Sequence, residues 1–424
     1  MNKDHLEDKE LGGMKNVWIL TISMSALAVC YTMLVPFLPV YLLELGVSQG
    51  SVAMWSGVVF SITFLIAGIM APIWGKMADA RGKKMMAIRA GIAIGISYVL
   101  IGFVTNPWQL LLGRAFQGFA NGFMPAAMTL VSLSVSERRV GKALGIFQTG
   151  LILGNVIGPF LGGFVESLVG MRPVFYVSGV IVILSTLAVA FWVKEPNVAS
   201  KALQSNQTDE KAPATKKQST SLLDDWKQIR SNHILVRLLW VYFAMQCAIL
   251  MLQPILALFV GEMEGSMEHA AMISGTILSV GGLAGSVTTS FWVRLGEHKG
   301  YFQVISWCLA GTGVVLLLQA LPLGIYWFGA LQILVGCCIV GINPSLSMAV
   351  TLHTEASFRG RMFGMATMAQ QFGSMIGPLF ASVITTLLGF PPMFAITGAL
   401  LLYMSFMTKQ LITYETYTRE SSSR

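Results

Sequence analysis

The sequence predicts an all-α membrane protein of twelve transmembrane helices, arranged as two six-helix, pseudo-symmetric bundles. Three observations predict it. Of 424 residues, 54% are hydrophobic and only 11% charged, against about 25% charged in soluble domains. Apolar stretches of about 20 residues recur from end to end, the length a helix needs to cross a ~30 Å hydrocarbon layer. The two halves of the chain also repeat each other at a nearly fixed offset. Backbone amides in lipid must be paired internally, so the spans are helices. The alternating ten-residue strands of a membrane barrel do not occur.

Taken in order, the spans run near 17–43, 52–74, 85–104, 109–132, 141–167 and 174–194. A polar stretch follows, then 234–260, 270–293, 302–320, 325–352, 362–387 and 393–412. The stretch Gly75–Lys84 between spans 2 and 3 holds Lys76, Arg81, Lys83, Lys84 and Asp79. One Arg or Lys at the bilayer centre costs roughly 2.5–3.5 kcal/mol even on the lenient insertion scale, so the cluster forms a short aqueous loop. The positive-inside rule makes that loop cytoplasmic. Of the 28 Lys and Arg, 25 fall in the N-terminus, the even connections and the tail. One, Arg172, falls in an odd connection, and two, Arg89 and Arg114, lie within spans. Both termini are therefore expected in the cytoplasm of a multi-pass cell-membrane protein.

The division that follows is a cytoplasmic N-terminus over 1–16, a first bundle over 17–194, a cytoplasmic linker over 195–233, a second bundle over 234–412 and a cytoplasmic tail over 413–424. The linker is rich in Lys, Ser, Gln and Thr and reads as mobile, with a surface helix near Leu222–Arg230. The N-terminus lacks the short apolar core and small-residue cleavage site of a secretory signal. The net charge of +8 sits in loops on one side, which argues for membrane topology and against a nucleic-acid partner. Cys30, Cys247, Cys308, Cys337 and Cys338 all fall in apolar runs and read as small core residues. The five histidines have no ligand spacing, so no metal is expected.

The repeat is specific. At an offset of 218, Pro36 matches Pro254, Glu44 matches Glu262, Ser56-Gly57 matches Ser274-Gly275, Trp74 matches Trp292 and Gly82 matches Gly300. At 219, Gly122 and Pro125 match Gly341 and Pro344, and Gly154-x3-Gly158-Pro159 matches Gly373-x3-Gly377-Pro378. Two parallel repeats facing each other place a site at their interface near the membrane midplane. Span 5 itself reads Gly150-x3-Gly154-x3-Gly158-Pro159-x2-Gly162-Gly163. Glycines at spacing four make one flat helix face that lets a neighbour approach to backbone contact, and the proline bends the helix. The face serves dimerisation or packing across the two halves; the latter is favoured, with contact breaking when an outer gate opens.

These motifs resemble the major facilitator superfamily, and within it the twelve-span drug:proton antiporter branch. The resemblance rests on Gly75-x3-Asp79-x2-Gly82-Lys83-Lys84, on Arg114-x3-Gly118 in span 4 and on the Gly-Pro motif of span 5, and it extends over nearly the whole chain. One departure is Ala80, where the family usually has Arg. The resemblance implies a proton-coupled exporter of amphipathic small molecules working by alternating access; a lipid or glycolipid flippase of the same fold is the alternative. It implies a latch of Gly75, Asp79, Arg81, Gly82, Lys83 and Lys84 that closes against the start of span 11 near Met362. It also tips Arg114 toward proton coupling; the alternative is a side chain that snorkels to the interface.

No Asp or Glu sits mid-span, so proton acceptors are sought among Glu44, Glu166 and Glu262 near exterior helix ends, either as a structural collar or as a gate. A cavity lined by spans 1, 4, 7 and 10 offers Met24, Tyr31, Met33, Gln117, Asn121, Gln246, Met251, Gln253 and Asn343. Met surfaces adapt to varied apolar ligands. Asn121 and Asn343 stand out as buried amides, although helix–helix hydrogen bonding is an equal reading. No catalytic constellation and no nucleotide-binding Gly-x4-Gly-Lys-Ser/Thr loop is present. No cofactor is expected, the proton gradient being the driver; protons, amphipathic small molecules and membrane lipids are the partners of an expected monomer. If the latch operates, Asp79→Asn keeps expression but slows transport, and normal turnover in vesicles would remove the latch.

Overall fold

A computed structural model describes residues 12–195, 229–230, 232–267, 269–322, 324–355 and 358–422; the side chains of Asp79, Glu137 and all residues from 413 on lie outside that description. The linker expected to be mobile and nearly all of the surface helix expected at 222–230 fall outside it too. The first half comprises α1 (Gly13–Met33), α2 (Leu38–Glu44), α3 (Gln49–Arg81), α4 (Lys83–Gly102), α5 (Pro107–Ala120), α6 (Phe123–Leu133), α7 (Val140–Val169) and α8 (Met171–Trp192). The second comprises α9 (His233–Leu252), α10 (Leu256–Glu264), α11 (Ala270–Lys299), α12 (Tyr301–Gln319), α13 (Ile325–Ile339), α14 (Ile342–His353), α15 (Arg359–Leu388) and α16 (Phe390–Ser422).

Among the described residues, eleven segments are long and apolar enough to cross a membrane. The twelfth span is α5 with α6, each too short alone. Spans 1, 4, 7 and 10, expected as continuous helices, are all interrupted, and at repeat-matched places. Pro36 lies between α1 and α2, and Pro254 lies between α9 and α10. Gly122, at φ 129°, separates α5 from α6, a backbone conformation that L side chains resist. Gly341 stands at the corresponding step before α14. A broken helix in lipid frees carbonyls that protein groups must satisfy. Trp74 Nε1 donates to Phe119 O at 2.8 Å, and its repeat mate Trp292 Nε1 donates to Cys337 O at 2.6 Å. Arg89 Nη2 donates to Asn121 O at 3.0 Å, placing a cation at the electronegative end of α5.

The loop expected over Gly75–Lys84 is almost entirely helix. α3 runs to Arg81, Gly82 alone turns the chain at φ 94°, and α4 starts at Lys83. Gly300, at φ 96°, makes the same turn between α11 and α12. Lysines and arginines tolerate helix once it leaves hydrocarbon, so charge marks the membrane edge and not the helix end. For the same reason α16 continues to Ser422, well past the apolar stretch that ends near 412. Cys30, Cys247 and Cys308 are buried, whereas Cys337 and Cys338 are only partly so, because they sit beside the break in span 10.

The glycine face of α7 corrects the expectation of a cross-half contact. A Cβ on Gly150, Gly154, Gly158 or Gly162 would strike α1, at Thr21 and Ser25, Ser25 O, Thr32 and Met33 O respectively. That face is used within the first half. The neighbouring face, about 100° round the helix, crosses to the second half. There a Cβ on Gly163 would meet Met272 Cα at 2.7 Å, and one on Gly275 would strike Pro159 O. Phe160 N donates to Ser279 Oγ at 3.0 Å across the same seam. The repeat reproduces the contact: a Cβ on Gly57 of α3 would meet Pro378 O of α15 at 2.5 Å. Two pseudo-symmetric glycine-to-proline contacts thus clamp the halves together.

All these contacts lie at the end of the molecule opposite Gly82 and Gly300. Overpacking such a seam costs about 1–3 kcal/mol, which shifts a two-state equilibrium roughly 5- to 150-fold. Gly275→Val is therefore expected to spread the clamped end. Pulsed EPR between spin labels on the exposed residues Leu168 and Leu388 checks this by a longer distance; an unchanged distance would show that the seam does not control the closure.

Candidate functional site

The halves meet at one end and part at the other, which defines the site. The core cluster around Tyr41, Phe60 and Phe175 includes Leu258 and Ala271 from the second half, and Phe390 packs against it. The cluster around Met24, Phe123 and Phe147, toward the basic end, contains first-half residues alone. A Cβ on Gly68, Gly75, Gly141, Gly145 or Gly364 would meet nothing within 4 Å. Ile69, Ile73, Val287 and Phe291, on the same stretches of α3 and α11, are well exposed. The helices that clamp the far end thus diverge toward the basic end and leave a cleft between the repeats.

The latch residues gather at the basic end, around the turn at Gly82. Met362 is fully buried in the core of its own half. Gly75 and Arg81 are exposed, and Gly82, Lys83 and Lys84 are partly so. The Asp79 backbone belongs to α3, and its side chain lies outside the described residues. The turn is tied within the first half by a group the sequence reading missed. Glu195 Oε1, just beyond α8, accepts from Lys83 N at 2.6 Å and Lys84 N at 3.2 Å. A carboxylate at a helix N-terminus satisfies otherwise unpaired amides and favours the dipole. The only sequence signal was an acidic residue ending a span.

Arg114 is buried at 3% exposure, enclosed and not snorkelling, because α3 and α4 close over it. Its Nη1 donates to Gln117 Oε1 at 3.0 Å, while Nε and Nη2, and the Gln117 amide nitrogen, find no partner. Tyr31 and Tyr98 lie within its electrostatic reach, and Phe60 presents its ring 5.7 Å away. The Arg-x3-Gly spacing has a packing cause. Gly118 lets α5 press onto Thr63 O of α3, and Thr63 Oγ1 donates to Arg114 O at 3.2 Å. A half-satisfied cation in the hydrocarbon layer marks function more than stability.

The proposed cavity set separates. Met24 and Met251 are buried in the cores of their own halves and Met33 in the cluster at the clamped end, and none lines the cleft. Met33 and Met251 accept weak hydrogen bonds from Ser178 and Thr397. Gln117 is buried beside Arg114, while Tyr31, Gln246 and Gln253 are partly buried. Asn121 and Asn343, expected to be buried, are exposed because both stand at helix breaks. Asn121 Oδ1 accepts from Gly122 N at 2.7 Å, and Asn343 Oδ1 accepts from Gln370 Nε2 at 3.4 Å. Among the acids, Glu44 and Glu262 are exposed and Glu166 is half-buried. α7 and α11 run antiparallel, so the pairing of Gly163 with Met272 puts Glu166 opposite His269, the residue capping α11. Sequence reasoning also passed over Arg89, whose guanidinium carbon lies 3.7 Å over the Trp74 ring. The Trp74–Trp292 repeat match was its available signal.

Comparisons with known proteins agree with this geometry. A family model described as Major Facilitator Superfamily matches residues 20–306 and 273–419. The chain is 31% identical over 414 residues to the multidrug resistance protein MdtG of Proteus mirabilis, covering 96% of this chain and 99% of that one. It is 29% identical over 397 residues to MdtG of Escherichia coli, covering 93% and 94%. Among solved structures it resembles a mutant of the nucleoside transporter NupG, with a TM-score of 0.75 and 15% identity over 93% of this chain and 99% of that chain. It also resembles a bacterial homologue of the lysosomal transporter Spinster in an inward-facing, unoccupied conformation, at 0.73 and 14% over 94% and 97%.

Two substitutions should move stability in opposite directions. Arg114→Met removes a cation with unpaired donors and is expected to raise stability by about 1–3 kcal/mol. Trp74→Phe keeps the ring under Arg89 but orphans the Phe119 carbonyl, and is expected to lower it by a similar amount. Thermal unfolding of the purified variants in one detergent reads both.

Proposed function

The chain belongs to the major facilitator superfamily, a transporter family, and on that footing we propose that it is a proton-coupled multidrug efflux transporter. It exports amphipathic small molecules by alternating access. What carries this reading is the pair of glycine-to-proline contacts that clamp one end while the other stands open, together with likeness to MdtG along nearly the full chain. The basic end is cytoplasmic by the positive-inside rule, so the open cleft faces the cell interior and is ready to load. The transporter acts in the cell membrane with both termini inside, as a monomer. It makes no covalent change to its substrate and uses no cofactor, the proton gradient supplying the work.

Substrate enters between the repeats, where exposed Asn121 and Asn343 and half-buried Gln370 offer polar contacts near helix breaks. Rocking then closes the basic end and separates Gly57 from Pro378 and Gly275 from Pro159. Coupling requires a group whose environment differs between the two states. Glu166 meets that requirement better than Glu44 or Glu262. It lies at the seam opposite His269 and is covered when the outer end shuts. A proton taken from outside neutralises the carboxylate and lowers the cost of covering it. Arg114 supplies the fixed buried charge that shapes the electrostatics of span 4.

Dye efflux measured in inverted membrane vesicles tests the reading. Transport is expected to follow an imposed pH gradient and to collapse with a protonophore; indifference to the protonophore would favour lipid flipping or uniport. Glu166→Gln is expected to cut gradient-driven efflux about tenfold or more, within the usual range for a positioned proton-transfer group, and undiminished pumping would exclude it as the carrier.

A further inference from the structure

The two repeats differ in how the first helix of each half meets the last. In the first half, α1 and α8 are joined where Ser23 Oγ donates to Ser185 O at 3.0 Å. At the repeat offsets, the matching positions in α9 and α16 are Val241 and Met404. Neither side chain makes that bond, and the helices leave a groove of about 260 Å³ between them. Val241 and Met404 both line it, together with Trp240, Tyr403, Met407 and Arg237. The hydrogen bond that zips one half is thus replaced, at the same place in the other, by an apolar slot.

The slot has a polar mouth. Arg237 stands one turn into α9, at the basic end, and is partly exposed. Its Nη1 donates to Met407 O at 3.4 Å, and its remaining guanidinium donors have no partner among the described residues. Lys409, exposed, lies on the neighbouring turn of α16. Trp240 and Tyr403 are each 56% exposed, amphipathic rings of the type that gather at the headgroup level. From the mouth inward the groove therefore offers a guanidinium, two interfacial rings, then Val and Met.

We infer that the α9–α16 groove is a binding site for one anionic phospholipid of the leaflet at the basic end. Its phosphate pairs with Arg237 and one acyl chain lies along Trp240, Val241, Tyr403 and Met404. A guanidinium matches a phosphate in planar two-point geometry, and the apolar lining excludes a free anion from the depth of the slot. In the first half the Ser23–Ser185 bond joins the two helices at this place, and Ile19 stands at the repeat position of Arg237. This site is peripheral to the cleft between the repeats and does not depend on what the cleft carries.

The test uses the full-length protein in detergent, titrated with phosphatidylglycerol or phosphatidylcholine of the same chains and read by native mass spectrometry. Phosphatidylglycerol is expected to bind more tightly, and Arg237→Gln to weaken it about fivefold, the effect of one basic residue near an anionic surface, with phosphatidylcholine unaffected. Equal binding of the two lipids, or a preference that survives Arg237→Gln, would overturn the site. Inorganic phosphate competing away the lipid without any chain requirement would overturn the groove. Should the variant fail to fold, a photoactivatable phosphatidylglycerol on the wild-type protein gives the second reading. Adducts are expected on peptides covering 237–241 and 403–408, and their absence overturns the proposal.

Discussion

The structure depends on close backbone approach at two points, Gly57 against Pro378 and Gly275 against Pro159. Each proline lies inside a long helix, where it removes an amide and bends the axis. Each glycine belongs to the helix packed against it, where any side chain would strike the proline carbonyl. The contacts are related by the internal repeat, so the halves pivot about two like surfaces. Such a seam is tight, and it can part without unfolding either bundle. Within each half, by contrast, the rows Gly150–Gly162 and Gly373–Gly377 lock α7 to α1 and α15 to α9. Rigid bundles with a divisible seam are what rocking requires.

The breaks in spans 1, 4, 7 and 10 complete that design. A continuous helix presents no free backbone polarity, whereas a broken one presents it at the break. The protein meets this demand selectively. Trp74 and Trp292 tie two of the freed carbonyls to neighbouring helices, and Arg89 covers a third. Asn121 and Asn343 are left exposed beside those points. Polar groups are therefore presented at mid-span by helices held on both sides. Arg114, by contrast, is withdrawn into the first bundle with donors unpaired. Its cost is borne by the well-packed cores around it.

The twelve spans, their repeat and the family were legible in the sequence. Hydrocarbon imposes length and charge rules that act residue by residue along the chain. Pro36, Pro254, Gly122 and Gly341 were visible as matched pairs, but the reading took them as features of continuous spans. It likewise took Gly75–Lys84 as a loop, when α3 simply outruns the membrane. The site was less legible. Met24, Met33 and Met251 were assigned to a cavity on residue type, yet a methionine fills a core as readily as it lines a pocket. Glu195 and Arg89 carried no motif, and their roles come from partners far away in sequence.

The amino-acid sequence by itself determined that this chain spans a membrane, that it is a duplicated bundle and that its basic loops share one side. Those properties follow from composition and spacing, which need no neighbour to be defined. Only the tertiary structure decided which face of α7 belongs to its own half and which to the other, that Arg114 is enclosed, and that Glu166 stands across from His269. The reason is geometric. Adjacent residues of a helix point about 100° apart, so partnership is fixed by how the helices are rotated against one another, and that rotation is settled by packing across the whole molecule.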